Sequence, residues 1–190
     1  MNGRTKNPLE RLMAGNRRYL EGGSCGDMSE ARRLETENGQ RPYAVIVTCS
    51  DSRVIPEAIF SAGIGDLFVI RTAGNTVDDT TLGCIEYAME HLKCHFVMVL
   101  GHTHCGAVAA TLENEHGRYS GTFTRKIASA IGNESDPLAA CKINILNSVS
   151  ELDQCFSNIS DLVCVGALYD IRTGKVELVE WRSEVVINLS

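Results

Sequence analysis

The chain has 190 residues, of which 44% are hydrophobic and 22% are charged, and its formal net charge is -6. This length suits one domain that buries a core without disulfides, and the composition is ordinary for a globular protein. Acidic and basic residues are mixed along the chain, which argues against nucleic acid or an anionic membrane as a partner. We therefore expect a small-molecule substrate.

The amino-terminal residues are polar, and no apolar run reaches the roughly 18 residues needed to span a bilayer. We expect a cytoplasmic protein. The eight cysteines are scattered through apolar segments, a distribution that predicts buried thiols and not a disulfide framework. Only Cys49 and Cys105 lie beside other residues of the types that bind metals.

Hydrophobic periodicity predicts strands that alternate with helices. The expected helices cover residues 8–20, 54–61, 78–93, 107–112, 122–131 and 137–156. The expected strands begin at 42, 67, 95, 162 and 176, and they end near 49, 70, 100, 168 and 181. Residues 21–40 are expected to be irregular with one helical turn near 29–34, 71–75 a loop and 170–175 a hairpin turn. The longest helix is expected to bury Ile143, Leu146, Val149 and Leu152.

Alternating strands and helices imply right-handed crossovers and hence parallel strands. The predicted fold class is α/β, with a mostly parallel four-stranded sheet, an antiparallel edge strand and flanking helices. We expect one domain over residues 1–190. Residues 1–35 would form a helical N-terminal arm whose helix packs on a partner subunit.

Reactive side chains follow the first predicted strand, in the stretch YAVIVTCSDSR at residues 43–53. An apolar run rich in Val and Ile fits a strand that is buried on both faces. Cys49, Asp51 and Arg53 then emerge at its carboxyl end, which is where open α/β sheets place their sites.

The third predicted strand ends in the same manner, in the sequence GHTHCG at residues 101–106. His102 and Cys105 lie three residues apart in this glycine-flanked turn, a spacing that lets one loop hold a metal from one side. Together with Cys49 they supply two thiolates and an imidazole, which are ligands that zinc prefers. We predict one zinc site built from two strand ends; the structural alternative is a buried thiol beside a capping histidine.

Asp51 has two possible roles at such a site. It could be a fourth ligand, or a hydrogen-bond acceptor near the metal-bound water. Arg53 would hold the carboxylate in a bidentate pair that keeps it ionised, whereas an exposed pair would be a salt bridge of little consequence. His104 alternates with His102 and is expected to point away from the metal, with proton transfer as its functional option.

With these residues the chain resembles the β-class carbonic anhydrases over most of its length. The motifs CSDSR and GHTHCG are similar to that family's two metal-binding signatures in order and spacing. The resemblance implies zinc held by Cys49, His102 and Cys105. It also implies that Asp51 and Arg53 form the catalytic dyad, with Asp51 on the metal only in a closed state.

The resemblance extends to substrate-binding positions. Gln40 stands where plant-type members place a substrate-binding glutamine, and Phe68 matches an aromatic residue of the family's carbon dioxide pocket. Ala73 falls at another apolar pocket position. The amide of Gly106 resembles one that contacts bound anion or substrate.

By the same resemblance the basic unit is a homodimer, alone or in a dimer of dimers, with an exchanged N-terminal helix and sites at the dimer interface. Members with an allosteric bicarbonate site use a tryptophan early in the chain. The only tryptophan here is Trp181, a departure that argues against such regulation.

The reaction implied is the zinc-dependent, reversible hydration of carbon dioxide to bicarbonate and a proton through zinc-bound hydroxide. Hydrolysis of carbon disulfide or carbonyl sulfide stays open, because the metal motifs do not separate these substrates. A non-catalytic zinc-binding module is a further alternative. A thiol phosphatase would need a longer phosphate-binding loop than the three residues between Cys49 and Arg53.

Overall fold

The computed structural model describes residues 7–23, 25–115 and 117–180. Trp181 lies outside the described residues, and so does the end of the strand predicted at 176–181. The prediction of one domain over residues 1–190 stays a prediction, because both ends of the chain lie outside these ranges. Within them, no helix combines the length and the apolar character needed to cross a membrane.

Five strands form one sheet: β1 Ala44–Cys49, β2 Leu67–Thr72, β3 Phe96–His102, β4 Val163–Tyr169 and β5 Val176–Val179. Their order is β2-β1-β3-β4-β5. The first four strands are parallel, and β5 pairs antiparallel with β4 after a tight turn. The predicted parallel sheet with an antiparallel edge strand is therefore confirmed.

Helices pack against both faces of this sheet. They are α1 Pro8–Leu20, α2 Glu30–Thr36, α3 Pro56–Ile59, α4 Asp79–Leu92, α5 Gly106–Leu112, α6 Gly121–Ile131 and α7 Pro137–Cys155, and a 3-10 turn at Ala73–Asn75 follows β2. Side chains of Asn7, Asp78 and Asp136 accept first-turn amides of α1, α4 and α7. The segment predicted as one helical turn near 29–34 is the longer helix α2.

One predicted loop is in fact strand. Residues 71–75 were expected to be irregular, yet β2 continues through Arg71 and Thr72 because these residues pair with Thr48 and Cys49 of β1. The loop that remains is only the 3-10 turn. This extension brings the end of β2 level with the end of β1.

The central strands are buried on both faces. Val45, Val47 and Cys49 of β1 belong to the core cluster that also contains α7 residues, whereas Ala44 and Ile46 belong to the opposite cluster with α1 and α3. The alternation follows from the two-residue period of a strand. It places the Cys49 side chain on the α7 side of the sheet.

Helix α7 buries a different face from the predicted one. Leu146 and Leu152 are buried as expected, but Ile143 and Val149 are only partly buried. The buried face also includes Ala140, Cys141, Asn144, Ile145 and Ser148. The apolar pattern missed this face because two of its members are polar.

Helix α1 packs on its own chain. Leu12 is fully buried, and the Asn16 amide donates to the carbonyls of Ile59 and Gly174 at 3.2 and 2.9 Å. The Asn16 oxygen accepts the Val176 amide at 3.0 Å. These contacts join α1 to both α3 and the β5 turn, and the packing of α1 on a partner subunit stays a prediction.

Candidate metal centre

The parallel register brings the carboxyl ends of β1 and β3 together. Thr48 lies opposite Leu100, and its hydroxyl donates to the Leu100 carbonyl at 2.7 Å. Cys49 is the last residue of β1 and His102 the last residue of β3. Cys105 follows three residues later, immediately before α5.

Cys49, His102 and Cys105 form the one grouping of three potential metal ligands within the described ranges. Their ligand atoms all lie within 4.8 Å of one another. The three residues are only 5%, 1% and 4% exposed, so the grouping is shielded from bulk water. The two strand ends therefore bring these three side chains together, and the zinc ion itself stays a prediction.

The histidine is oriented for metal binding through Nε2. Its Nδ1 lies 2.9 Å from the Thr103 carbonyl, an acceptor that favours the tautomer with the proton on Nδ1. Nε2 is buried and has no hydrogen-bond partner among the described residues. An unpartnered buried nitrogen is costly, and beside two thiols it completes a donor set that suits zinc. The residues therefore fit a zinc ion.

The two thiols interact with each other. The hydrogen bond from Cys105 lowers the pKa of Cys49. The same contact, together with burial, raises the pKa of Cys105. The Gly74 amide also donates to Cys49 Sγ at 3.3 Å. Cys49 is thus stabilised as a thiolate, and a bound cation would favour deprotonation of both sulfurs.

Asp51 and Arg53 form a bidentate pair at the edge of this grouping. Arg53 Nε donates to Asp51 Oδ1 at 2.9 Å, and Nη2 donates to Oδ2 at 2.7 Å. The Arg53 backbone amide adds a third bond to Oδ1 at 2.9 Å. These bonds hold the pKa of Asp51 well below its usual range. Oδ2 lies 3.9 Å from His102 Nε2, so the carboxylate stands beside the ligand grouping.

Arg53 also links the two strand-end turns. Its Nη2 donates to the carbonyl of His104 at 3.1 Å. His104 has a left-handed backbone with φ 54 and is exposed, and it is not part of the ligand grouping. One guanidinium therefore sets the relative position of both motifs.

Two neighbours of the site were missed in the sequence. Arg71 Nη2 donates to the backbone carbonyl of Asp51 at 2.7 Å, which braces the turn after β1. Burial raises the pKa of the Cys141 thiol on α7, and the backbone amide of Cys105 partly offsets that rise. In the sequence, Arg71 could have been identified only by extending the predicted strand β2 by one residue. Cys141 could have been identified by its four-residue spacing from Ile145, which places both residues on one helix face.

The predicted substrate-binding residues divide into two groups. Ala73 and Gly106 lie at the site, because Ala73 precedes Gly74 in the 3-10 turn and Gly106 follows Cys105 as the first residue of α5. Phe68 pairs with Val45, four residues or about 13 Å back along β2 from Thr72. Gln40 is exposed and precedes the amino end of β1. A single chain does not bring Gln40 or Phe68 to Cys49.

The chain was compared with known proteins. A family model described as carbonic anhydrase matches residues 44–176. A carbonic anhydrase of Mycolicibacterium smegmatis is 36% identical over 186 residues, covering 88% of this chain and 89% of the relative. Carbonic anhydrase 2 of Mycobacterium tuberculosis is 42% identical over 122 residues, covering 63% of this chain and 59% of the relative.

Solved structures show the same likeness in three dimensions. The β-carbonic anhydrase of Coccomyxa, solved in complex with acetazolamide, superposes with a TM-score of 0.68 at 25% identity. The superposition covers 90% of this chain and 86% of the Coccomyxa chain. Sequence match, sheet topology and the Cys-His-Cys grouping agree, and the chain belongs to the β-class carbonic anhydrase family.

Proposed function

We propose that the protein catalyses the reversible, zinc-dependent hydration of carbon dioxide to bicarbonate and a proton. The observation that carries the proposal is the buried Cys49, His102 and Cys105 grouping with an ionised Asp51 beside it. Zinc, when bound, supplies Lewis acidity that makes a coordinated water acidic near neutral pH. The chain's own residues would then orient the attacking oxygen and the substrate.

Asp51 is suited to accept a hydrogen bond and unsuited to donate one. Arg53 holds the pKa of Asp51 well below its usual value, so the Asp51 carboxylate is ionised at physiological pH. A carboxylate held by two guanidinium bonds presents a fixed acceptor to the nucleophile. Asp51 would therefore orient the attacking oxygen, and Arg53 would orient Asp51.

The same pair argues against a purely structural metal site. A closed structural site would use Asp51 as a fourth ligand, whereas here both of its oxygens are engaged by Arg53. We infer that the position beside the three ligands is available to substrate. The small side chain of Ala73 and the backbone amide of Gly106 are the proposed groups lining it.

The product proton must leave the buried centre. His104 is exposed, and its backbone is tied to Arg53. An exposed imidazole can relay a proton to buffer, and we assign this role to His104. The assignment predicts that His104→Ala is slow in dilute buffer and recovers when imidazole is added.

A homodimer, alone or within a dimer of dimers, is part of the proposal. Gln40 and Phe68 are remote from Cys49 in one chain, so their substrate role requires the site of a partner subunit. Mixing Gln40→Ala chains with Cys49→Ser chains tests this. If Gln40 serves the partner's site, a hybrid dimer has one complete site; if Gln40 serves its own chain's site, the hybrid dimer has none. A cytoplasmic location fits the eight free cysteines, since a reducing compartment preserves thiol ligands.

The decisive experiment measures metal content and carbon dioxide hydration on the same preparation. We expect about one zinc per chain, and Asp51→Asn should keep the zinc while hydration falls by about 10²- to 10⁴-fold. Stopped-flow assays with carbon disulfide and carbonyl sulfide distinguish the sulfur-analogue hydrolases. Zinc-replete protein that turns over neither class of substrate would refute the proposal and leave a binding module.

A further inference from the structure

Helix α7 carries two buried polar side chains that the proposed mechanism does not use. Asn144 and Ser148 are each 2% exposed, and they lie one helical turn apart on the face that packs against the sheet. A buried amide or hydroxyl is retained only where it satisfies another polar group. Their partners lie in the 3-10 turn after β2, close to Cys49.

Both side chains donate to backbone carbonyls of that turn. Asn144 Nδ2 donates to the Gly74 carbonyl at 2.8 Å. The Ser148 hydroxyl shares its one proton between the Asn75 carbonyl at 3.1 Å and the Asn144 carbonyl at 3.0 Å. The turn is therefore attached to α7 by two hydrogen bonds between elements far apart in sequence.

The 3-10 turn also contacts the sulfur of Cys49, one of the three potential metal ligands. The Gly74 amide donates to Cys49 Sγ at 3.3 Å, while the carbonyl of the same residue accepts from Asn144. An amide directed at a thiolate withdraws charge from the sulfur and fixes its direction. Groups that hold a metal ligand in this way commonly contribute to both metal affinity and metal electronics.

Glycine at position 74 makes an external anchor necessary. Its backbone has φ 66, and a Cβ there would stand 2.8 Å from Ile127 Cδ1 and 3.1 Å from Ala107 Cβ. A side chain at this position would be strained, whereas glycine is the residue with the greatest backbone freedom. Without Asn144, nothing within Gly74 itself would keep its amide aimed at Cys49.

We propose that Asn144 is a positioning residue of the metal centre, which holds the Gly74 amide against Cys49 Sγ, and that Ser148 supports it. The inference rests on the proposed zinc site. It predicts that loss of the Asn144 donor makes the Cys49 sulfur more electron-rich and less well oriented. The poorer orientation would weaken metal binding, while the more electron-rich sulfur would donate charge to the bound metal more readily.

The test uses full-length protein loaded with Co²⁺ and, separately, with Zn²⁺. Asn144→Leu keeps the approximate volume and removes the donor. Asn147→Leu is the matched control, because Asn147 lies on the same helix and its side chain bonds to Glu151 and to no other described residue. We expect Asn144→Leu to shift the thiolate-to-cobalt charge-transfer band to lower energy. Zinc affinity, measured by chelator competition, should fall by about tenfold. Asn147→Leu should change neither.

Ser148→Ala provides a milder second variant. It should move the same band in the same direction by a smaller amount, and it carries the test if Asn144→Leu does not fold. Folded variants that keep the wild-type band and zinc affinity would overturn the inference, even if their unfolding temperatures fall. Wild-type protein without any charge-transfer band would instead contradict the zinc site and the proposed function with it.

Discussion

The two edges of the parallel sheet use the same residue types differently. At the amino edge, Asp66 lies between two arginines: its Oδ1 is 3.1 Å from Arg11 Nη2 and 3.4 Å from Arg32 Nη2. Its Oδ2 accepts the Gly63 amide at 3.0 Å. At the carboxyl edge, Asp51 also pairs with an arginine, but 3.9 Å away His102 Nε2 has no hydrogen-bond partner in the part of the chain that the structure describes.

The difference separates groups that stabilise the fold from groups prepared for a ligand. Polar groups around Asp66 satisfy one another at the protein surface, where such ion pairs add little stability. The carboxyl edge buries two thiols beside an imidazole nitrogen that has no hydrogen-bond partner among the described residues, and a bound cation would pair with all three. Buried polar atoms without hydrogen-bond partners, combined with shifted pKa values, are expected at a functional site.

The largest expected effect comes from removing the unpartnered nitrogen. His102→Ala should reduce zinc from about one per chain to background and abolish hydration, because two sulfurs alone do not make a catalytic zinc site. Metal analysis and stopped-flow hydration check this. His95→Ala is the matched control at the amino edge, where His95 Nδ1 contacts Asp161 Oδ2 at 2.7 Å. Full zinc occupancy in His102→Ala would contradict the ligand assignment.

A smaller effect is expected from breaking the bidentate pair. Arg53→Gln should retain zinc but lower the hydration rate by about 10- to 100-fold, since Asp51 loses the group that orients it. Arg32→Gln at the amino edge serves as the control and should leave the rate unchanged. Equal rates for Arg53→Gln and wild type would remove Arg53 from the mechanism.

The Asp51 pair also predicts a pH dependence, best measured on metal-free protein. Arg53 lowers the folded-state pKa of Asp51, so the stabilisation is present above the unfolded value of about 3.9. It is lost as the pH falls through the lower folded value. Urea unfolding should show Arg53→Gln less stable than wild type at neutral pH, with the gap closing in strong acid. A gap that stays constant across this range would argue that Arg53 acts through packing.

The smallest expected effect lies at the amino edge. Asp66→Asn should cost about 0–1 kcal/mol of unfolding free energy, because the pair is partly exposed and only its charge is lost. Zinc content and hydration rate should match those of wild type. Any loss of zinc in this variant would show that the two edges are coupled.

Much of the site could be predicted from the sequence because its signals are local. Continuous Val and Ile runs indicate strands buried on both faces, and the reactive residues follow directly where those runs end. Cys49, Asp51 and Arg53 lie within one turn, as do His102 and Cys105. Parallel pairing then requires both turns to meet at one edge, so strand prediction was sufficient to expect a shared site.

Only the tertiary structure shows which residues hold the potential metal ligands in position. Asn144 is seventy residues from Gly74, and an amide in an apolar helix pattern gives no sign of its distant partner. Arg71 joined the site because pairing with β1 extended β2 beyond its apolar run. Local sequence motifs therefore indicate which side chains are reactive, because those residues are close in the chain. The groups that hold them in place come from distant parts of the chain, so only tertiary packing identifies them.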